Sequence, residues 1–384
     1  MHIKRLSSLS LSIFFCLLTS GNTFAQDIDR KIFTHADTLR GSNGPFRQFW
    51  NVLKYELTIK PDYASKTIEG NNRITYFDMG VKLMQVDLQE PMQLDSATDG
   101  DARYSFRREG NVYWVEIRDS AAVYAITPGI RSLLLYFHGK PREAVKPPWD
   151  GGWIWKKDDM GNPWMTVACQ GLGASVWYPC KDIQSDEPDS GAIQHIIVPD
   201  SLVAVANGRL TEKKSLHNGT TMYSWEVKAP INNYCIIPSI GKYVHFKATY
   251  SGEKGKLDMD YWVMAYNLEK AKKQFTDAPR MMKAFEYWFG PYPFYKDGYK
   301  IVEAPELGME HQSAIAYGNG YRNGYNNPYR QNISWSGTKW EQKFDFIIIH
   351  ESGHEWFGNN ITTNDIADMW VHESFTSYSE VLFV

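Results

Sequence analysis

Two histidines four residues apart could do the most specific chemistry in this 384-residue sequence. His350 and His354 begin and end the stretch His-Glu-Ser-Gly-His, which follows an isoleucine-rich run that we expect to form a buried helix. Positions four apart on an α-helix lie on one face, so both imidazoles can approach a single Zn²⁺ ion. Glu351 can then take a proton from a metal-activated water, a combination suited to the hydrolysis of a peptide bond.

A third ligand is needed, because a catalytic zinc ion usually takes three protein ligands and leaves one position open. Glu373 follows His354 after 18 intervening residues and stands at the start of the next predicted helix. If that helix packs antiparallel to the first, the Glu373 carboxylate could reach the same ion. A downstream glutamate carries little weight by itself, so the residues around it matter.

The spacing and the flanking residues resemble the gluzincin zinc aminopeptidases of the aminopeptidase N type, which have a Glu at this distance from H-E-x-x-H. The Trp-Phe-Gly-Asn that closely follows the second histidine matches the family's W-F-G-N, and Trp370–Ser374 resembles its W-L-N-E-G. The resemblance implies that His350, His354 and Glu373 bind one zinc ion per chain. It also implies that Glu351 is the general base.

An aminopeptidase must also recognise a free α-ammonium group, which requires a fixed carboxylate near the zinc ion. Leu307–His311 resembles the family's G-x-M-E-N motif, although its first and last residues depart from the family's Gly and Asn. The resemblance makes Glu310 the candidate ammonium anchor. The backbone of Gly308 and Met309 would line the substrate as an edge strand. The Gly- and Asn-rich stretch 318–330 that follows could be an active-site lid or a solvated insertion.

Gln170 is a second candidate for contact with the substrate amino group. It stands ten residues before Cys180, in a segment that resembles the family's Q…F-P-C-x-D. In the family, the Gln or Glu at this place reaches the substrate from the β domain. The alternative is that Gln170 is a buried structural residue.

The elements that must position these residues fall into two predicted domains. Alternating strand patterns and turn signals run from about residue 50 to 250, and with 15% aromatic residues they indicate an all-β sandwich, which we assign to residues 26–253. Helical periodicity follows, for example from Leu268 to Phe289, with a stop at Gly290-Pro291. We therefore expect an α+β protein with a mixed α/β domain over residues 254–384. The resemblance implies a saddle-like β domain and a thermolysin-like catalytic domain.

The far end of the sequence predicts an incomplete catalytic domain. The chain stops inside a predicted helix with no capping residue. Members of the family use a Tyr roughly sixty residues beyond the third ligand as an oxyanion donor, a group whose loss costs about 10²–10³ in rate. Only 11 residues follow Glu373. We expect a fragment or a truncated reading frame with poor activity as written.

Residues 1–25 are predicted to be a signal peptide. Lys4 and Arg5 precede an apolar run of about ten residues, too short to span a bilayer, and Thr23–Ala25 fits a small-x-small cleavage site. We expect an exported product, periplasmic or secreted, with no transmembrane segment in the mature chain.

The cysteine and charge counts argue against a disulfide-stabilised scaffold and against a nucleic-acid-binding protein. Cleavage would leave Cys169, Cys180 and Cys235, which is no disulfide framework, and the sequence leaves open whether the first two are bridged. The 41 basic residues against 44 acidic ones give a formal charge of -3. A nucleic-acid partner usually requires a basic surface, so we expect none.

Three functions are compatible with these patterns. A zinc aminopeptidase acting on peptides with a free N-terminus is the leading hypothesis. A zinc endopeptidase of the same metal class is the nearest alternative, and Glu310 argues against it. The third is a β-rich interaction protein with a catalytically weak, truncated site, which the intact ligand and base residues disfavour.

Overall fold

The computed structural model describes residues 32–117, 127–324 and 337–384. The predicted signal peptide lies outside these residues, as do residues 325–330 of the stretch 318–330, and both interpretations stay predictions. Within the described ranges, no helix is both long enough and apolar enough to span a membrane. Cys169, Cys180 and Cys235 are free and buried, so the bridge that the sequence left open is not formed.

Strands make up most of the first part of the chain. They are β1 (Trp50–Asp62), β2 (Thr67–Asp78), β3 (Leu83–Asp87), β4 (Gln93–Thr98), β5 (Arg103–Tyr104), β6 (Phe106–Glu109), β7 (Val112–Glu116), β8 (Gly129–Gly139), β9 (Gly152–Lys157), β10 (Pro163–Ala168), β11 (Ala192–Pro199), β12 (Val203–Ala206), β13 (Arg209–Ser215), β14 (Thr220–Val227), β15 (Pro238–Gly241), β16 (Tyr243–Gly252), β17 (Gly255–Met264), β18 (Tyr299–Glu303), β19 (Gly308–Met309) and β20 (Ile315–Tyr317).

Two short helices precede the strands, and the longer helices follow β17. The α-helices are α1 (His35–Gly41), α2 (Pro45–Gln48), α3 (Leu268–Gln274), α4 (Asp277–Phe289), α5 (Phe346–Gly353) and α6 (Trp370–Phe383). The 3₁₀ turns are Ala174–Val176, Asn233–Cys235, Ala265–Asn267, Trp340–Gln342 and Ile366–Asp368.

An eight-stranded sheet in the order β13-β14-β11-β1-β2-β8-β4-β5 forms the frame of the first part. In β1, Tyr55, Leu57 and Ile59 alternate inward and are buried, as expected for a strand with one face on a core. Smaller sheets, β12-β15-β10-β9 and β3-β7-β6, complete this part. Trp50 and Trp153 are fully buried in the shared core. The predicted β-rich N-terminal part is confirmed.

The second part contains a five-stranded sheet in the order β16-β17-β18-β20-β19, with α4, α5 and α6 packed together beside it. This mixture confirms the predicted α+β class. The β16–β17 hairpin pairs residues 243–252 with this sheet, and the predicted boundary between residues 253 and 254 falls in its turn. The division of the chain into two domains stays a prediction.

The helical pattern from Leu268 to Phe289 forms two helices, α3 and α4, rather than one. Pro279 lies in the first turn of α4, where its missing N–H costs nothing. In a continuous helix its ring would clash with the carbonyl of Phe275, four residues earlier, so the chain breaks between the two helices. Gly290 ends α4 with a positive φ of 85°, as the sequence predicted.

Candidate active site

Three potential metal ligands converge between α5 and α6. His350 Nε2 lies 3.3 Å from His354 Nε2, and Glu373 Oε2 lies 3.4 Å from the first nitrogen and 3.6 Å from the second. Tetrahedral zinc with ligands about 2.0–2.1 Å away holds any two of them about 3.3 Å apart. The donor atoms are therefore spaced as such an ion requires, and two imidazoles with one carboxylate are a common zinc donor set.

The start of α5 is fixed by a buried aspartate. Asp345 caps the helix by accepting a hydrogen bond from Ile347 N at 3.2 Å. Its carboxylate also accepts from Tyr317 Oη at 2.5 Å and from Asn319 Nδ2 at 2.7 Å. Because α5 is only eight residues long, these contacts fix the direction in which its histidines point.

Acceptors hold the other nitrogen of each imidazole. His350 Nδ1 lies 2.6 Å from Glu380 Oε1, and His354 Nδ1 lies 3.0 Å from Phe357 O. A proton donated from Nδ1 to these oxygens leaves each Nε2 with a free lone pair at the point where the donor atoms converge. This tautomer is the one that a metal-binding histidine needs.

Two residues of α6 that contact the histidines, Thr376 and Glu380, were not predicted from the sequence. Glu373, Thr376 and Glu380 lie three and seven residues apart, so they share one face of the helix. Thr376 Oγ1 lies 3.1 Å from His354 Nδ1, and Glu380 contacts His350 as described. Helical spacing counted from Glu373 could have identified both residues as candidates.

Glu351 lies beside the metal-ligand cluster under the strand β19. A ligand atom of Glu351 lies within 4.8 Å of ligand atoms of His354 and Glu310. A Cβ atom added to Gly308 would lie 2.6 Å from Glu351 Oε1 and 2.9 Å from Ile347 Cγ2. Any larger residue at position 308 would therefore require Glu351 or Ile347 to shift away from β19.

Glu310 directly follows β19, and its carboxylate is held by two residues of the β-rich part. Gln170 Nε2 donates to Glu310 Oε1 at 2.5 Å, and Tyr234 Oη donates to the same oxygen at 2.8 Å. Asn359 Nδ2 donates to the Glu310 backbone oxygen at 2.8 Å. The structure thus brings Gln170 and Glu310 together from opposite parts of the chain. Tyr234 had no spacing signal in the sequence.

The edge of the five-stranded sheet lies at the same place. β19 pairs with β20 on one side and is the last strand in the sheet order, so its other edge is unpaired among the described strands. Met309 points away from solvent, is 5% exposed and packs in the core cluster shared with the β-rich part. The strand is therefore anchored by the Met309 side chain, and its second edge has no partner among the described strands.

Burial raises the pKa values of two acidic groups in the site. Burial raises the pKa of Glu351 to about 8, with His350 opposing the shift. Burial, followed by the charge of Glu373, raises the pKa of Glu310 to about 7. Both carboxylates would be stabilised in their charged forms by a nearby cation, either a metal ion or a substrate ammonium group.

The two histidines have opposite shifts. Burial, followed by the charge of His350, lowers the pKa of His354 to about 3, which keeps this imidazole neutral. Burial also disfavours charge on His350, but contacts with Glu373 and Glu380 outweigh it and hold the pKa of His350 well above its usual value. A neutral His354 is ready to act as a ligand, whereas a metal ion would have to displace a proton from His350.

Residues 274–384 match the family model described as the Peptidase family M1 domain. Among curated proteins, Aminopeptidase B of Mus musculus is 23% identical over 235 residues, covering 59% of this chain and 31% of that protein. Tricorn protease-interacting factor F2 of Thermoplasma volcanium is 25% identical over 220 residues, covering 56% of this chain and 25% of that protein. The chain thus spans about a third or less of the length of these relatives.

The fold resembles solved structures over most of the chain. The M1 zinc metallopeptidase from Deinococcus radiodurans aligns with a TM-score of 0.66 and 20% identity, covering 87% of this chain and 70% of that one. A mutant of that enzyme bound to a Tyr-Ser-Ala substrate aligns with a TM-score of 0.68 and 19% identity, covering 88% and 71%. At this identity the likeness shows a common fold.

Proposed function

We propose that the chain is a gluzincin zinc aminopeptidase of the aminopeptidase N type and that it hydrolyses the N-terminal peptide bond of peptides, in keeping with the matching family model, relatives and fold. One observation carries this proposal. The buried carboxylate of Glu310 lies beside the metal-ligand cluster and is held there by Gln170 and Tyr234. A fixed anion at this place suits an α-ammonium group one residue from the scissile bond.

His350, His354 and Glu373 would hold one zinc ion per chain. When bound, zinc acts as a Lewis acid that polarises a carbonyl group and lowers the pKa of water to about 7. Glu351 would accept a proton from the attacking water and pass it to the leaving amine, since it is the carboxylate next to both His354 and Glu310.

Glu310 would fix the amino terminus of the substrate. Gln170 and Tyr234 both donate to Oε1 and so restrain the carboxylate, and Oε2 would accept from the ammonium group. The peptide backbone would extend along the open edge of β19, where Gly308 and Met309 offer main-chain hydrogen-bonding groups. A peptide with no free amino terminus could not form the ion pair with Glu310.

The test compares substrates that differ only at the amino terminus. Hydrolysis of an L-aminoacyl amide and of the N-acetylated compound is measured with micromolar zinc-loaded protein, with the Glu351→Gln variant as the blank. We expect Glu310→Ala to reduce turnover of the free-amine substrate by about 10²-fold, the scale of a lost charge-assisted contact, while zinc content is unchanged.

Glu306→Ala is the matched control, because it removes another buried glutamate from the same segment. This variant should keep the parent protein's preference for free-amine substrates. Equal losses for free and N-acetylated substrates in Glu310→Ala would overturn the aminopeptidase assignment and favour an endopeptidase of the same metal class.

We also propose that residues 1–25 are a signal peptide that directs export of the protein. The proposal is supported by the charged start, the apolar run and the small-residue cleavage site in that stretch. Fusion of residues 1–25 to a reporter that is active only after export would test it, and a reporter retained in the cytoplasm would contradict it.

A further inference from the structure

The residues that precede β1 lie against the loop that carries Gln170. In α1, no residue is buried, and polar contacts attach the helix to the β-rich part. Gln85 Nε2 donates to Leu39 O at 2.7 Å, and Arg40 Nη2 donates to Gly171 O at 2.7 Å. We call residues 169–175 the anchor loop, because they include Gln170. Arg40 therefore holds the anchor loop at the carbonyl group of Gly171, the residue directly after Gln170.

Arg40 is itself held in place by a buried ion pair. The fully buried side chain of Arg47 donates from Nη1 to Arg40 O at 3.0 Å and to Ser42 O at 2.7 Å. Its Nη2 donates to Asp87 Oδ2 at 2.6 Å. A buried guanidinium with these partners has little freedom to move, so the backbone at residue 40 is fixed relative to β3.

The same aspartate connects to the other end of the anchor loop. Asp87 Oδ2 accepts from Asp182 N at 2.9 Å. The Asp182 carboxylate accepts from Ala174 N at 3.1 Å and from Ser175 N at 3.0 Å. Asp182 thus holds the end of the loop, whereas the Arg40 side chain holds its middle, one residue from the group that contacts Glu310.

Arg40 also lines a cleft that it shares with both residues that donate to Glu310. A cleft of about 550 Å³ is lined by Arg40 and Asn43 from the N-terminal segment, together with Gln170 and Tyr234. The last two are the residues that donate to Glu310. Residues that precede the first strand thus line the same cleft as Gln170 and Tyr234.

We propose that Arg40 is a positioning residue for amino-terminus recognition: it fixes Gly171 and thereby the direction in which Gln170 meets Glu310. This inference rests on the proposed function, in which Glu310 and Gln170 bind the substrate ammonium group. Arg40 is exposed and α1 buries no residue, so the loss of its side chain should affect the loop more than global stability.

The test measures binding rather than turnover. The zinc-loaded chain is titrated by NMR with L-leucinamide, L-argininamide and L-tryptophanamide, and with their N-acetyl forms. We expect Arg40→Ala to raise the Kd of the free amides about three- to tenfold, the scale of one ordinary hydrogen bond lost at an exposed position. Arg40→Lys, which keeps one cationic donor, should recover part of this loss, and the weaker N-acetyl binding should not change.

A double-mutant cycle with Gln170→Ala separates positioning from a structural role. If Arg40 acts through Gln170, the double variant binds no more weakly than Gln170→Ala alone. Arg209→Ala is the matched control, since Arg209 also donates to a backbone oxygen, Lys296 O, but contacts no residue of the anchor loop. It should leave the Kd values unchanged.

The outcomes for the two proposals are distinct. If the parent protein binds free and N-acetylated amides equally, or if Glu310→Ala keeps full affinity, the proposed function fails and this inference fails with it. If Glu310→Ala loses affinity while Arg40→Ala keeps it, or if the effects of Arg40→Ala and Gln170→Ala simply add, only the positioning role of Arg40 is overturned.

Discussion

Gly308 offers a sharp test of the site geometry, because a single methyl group there would meet Glu351. The Cβ of Gly308→Ala would lie 2.6 Å from Glu351 Oε1, about 0.8 Å closer than the 3.4 Å at which ordinary contact begins. Glu351 is 7% exposed and cannot turn out to solvent. Either the carboxylate or β19 must therefore move by most of that distance.

A displacement of this size has a predictable kinetic effect. Misplacing a catalytic group by about 1 Å can cost about 10²-fold in rate, so we expect Gly308→Ala to lower kcat by about 10- to 100-fold. Zinc affinity should change little, since the three atoms nearest to the added methyl group belong to Glu351 and Ile347 and not to the proposed zinc ligands. Overpacking should also lower the free energy of unfolding by about 1–3 kcal/mol.

The assay combines kcat for an L-aminoacyl amide, zinc content and urea unfolding, all measured on zinc-loaded protein. Gly129→Ala is the control, because a Cβ at that position meets no atom within 4 Å. A Gly308→Ala variant with the parent kcat would refute the close approach of β19 to Glu351. If Gly308→Ala lost zinc in parallel with activity, the added methyl group would have displaced the proposed zinc ligands. That result would contradict our expectation that it displaces Glu351.

Two further predictions concern buried glutamates. Glu380→Gln should weaken zinc binding about tenfold in a chelator competition, because a neutral amide accepts a hydrogen bond from His350 Nδ1 less strongly than the carboxylate 2.6 Å away. Glu269→Gln, an exposed position on α3, is the control. A Glu380→Gln variant that binds zinc as tightly as the parent protein would refute the role of Glu380. Burial raises the pKa of Glu306 to about 8. Below that pH the folded protein holds a proton that the unfolded chain releases above about pH 4.5, so the free energy of unfolding falls as pH rises from about 4.5 to 8. Glu306→Gln should make the free energy of unfolding less dependent on pH between about 5 and 8 in urea titrations; an unchanged slope would show that Glu306 does not hold that proton.

Local patterns in the sequence predicted the elements around the metal-ligand cluster. Four-residue spacing suffices to put His350 and His354 on one face, and the helix that begins near Glu373 was visible as periodicity. The structure brings these three residues together, and their role as zinc ligands stays a prediction. The break between α3 and α4 could also be predicted from Pro279 alone, although the periodic pattern from Leu268 to Phe289 suggests one continuous helix.

Contacts between distant segments could not be predicted in the same way. Tyr234 reaches Glu310 across 76 positions, and Gln170 reaches it across 140. No periodicity relates such residues, because their distance depends on how the β-rich part packs against the five-stranded sheet. Gln170 was a candidate for contact with the substrate amino group only because its motif resembles that of the family. Tyr234 and Arg40 belong to no such motif, so the sequence did not identify them.

The restraint on Glu310 has a consequence for any shorter form of this chain. The metal-ligand cluster comes from two neighbouring helices, whereas the restraint on Glu310 comes from residues translated more than 70 positions earlier. A piece of the chain limited to residues 346–384 would keep the three potential metal ligands but would lack the two donors that restrain Glu310. The ligand set and the restraint on Glu310 are therefore separable, since the first depends on one pair of helices and the second on contacts between distant segments.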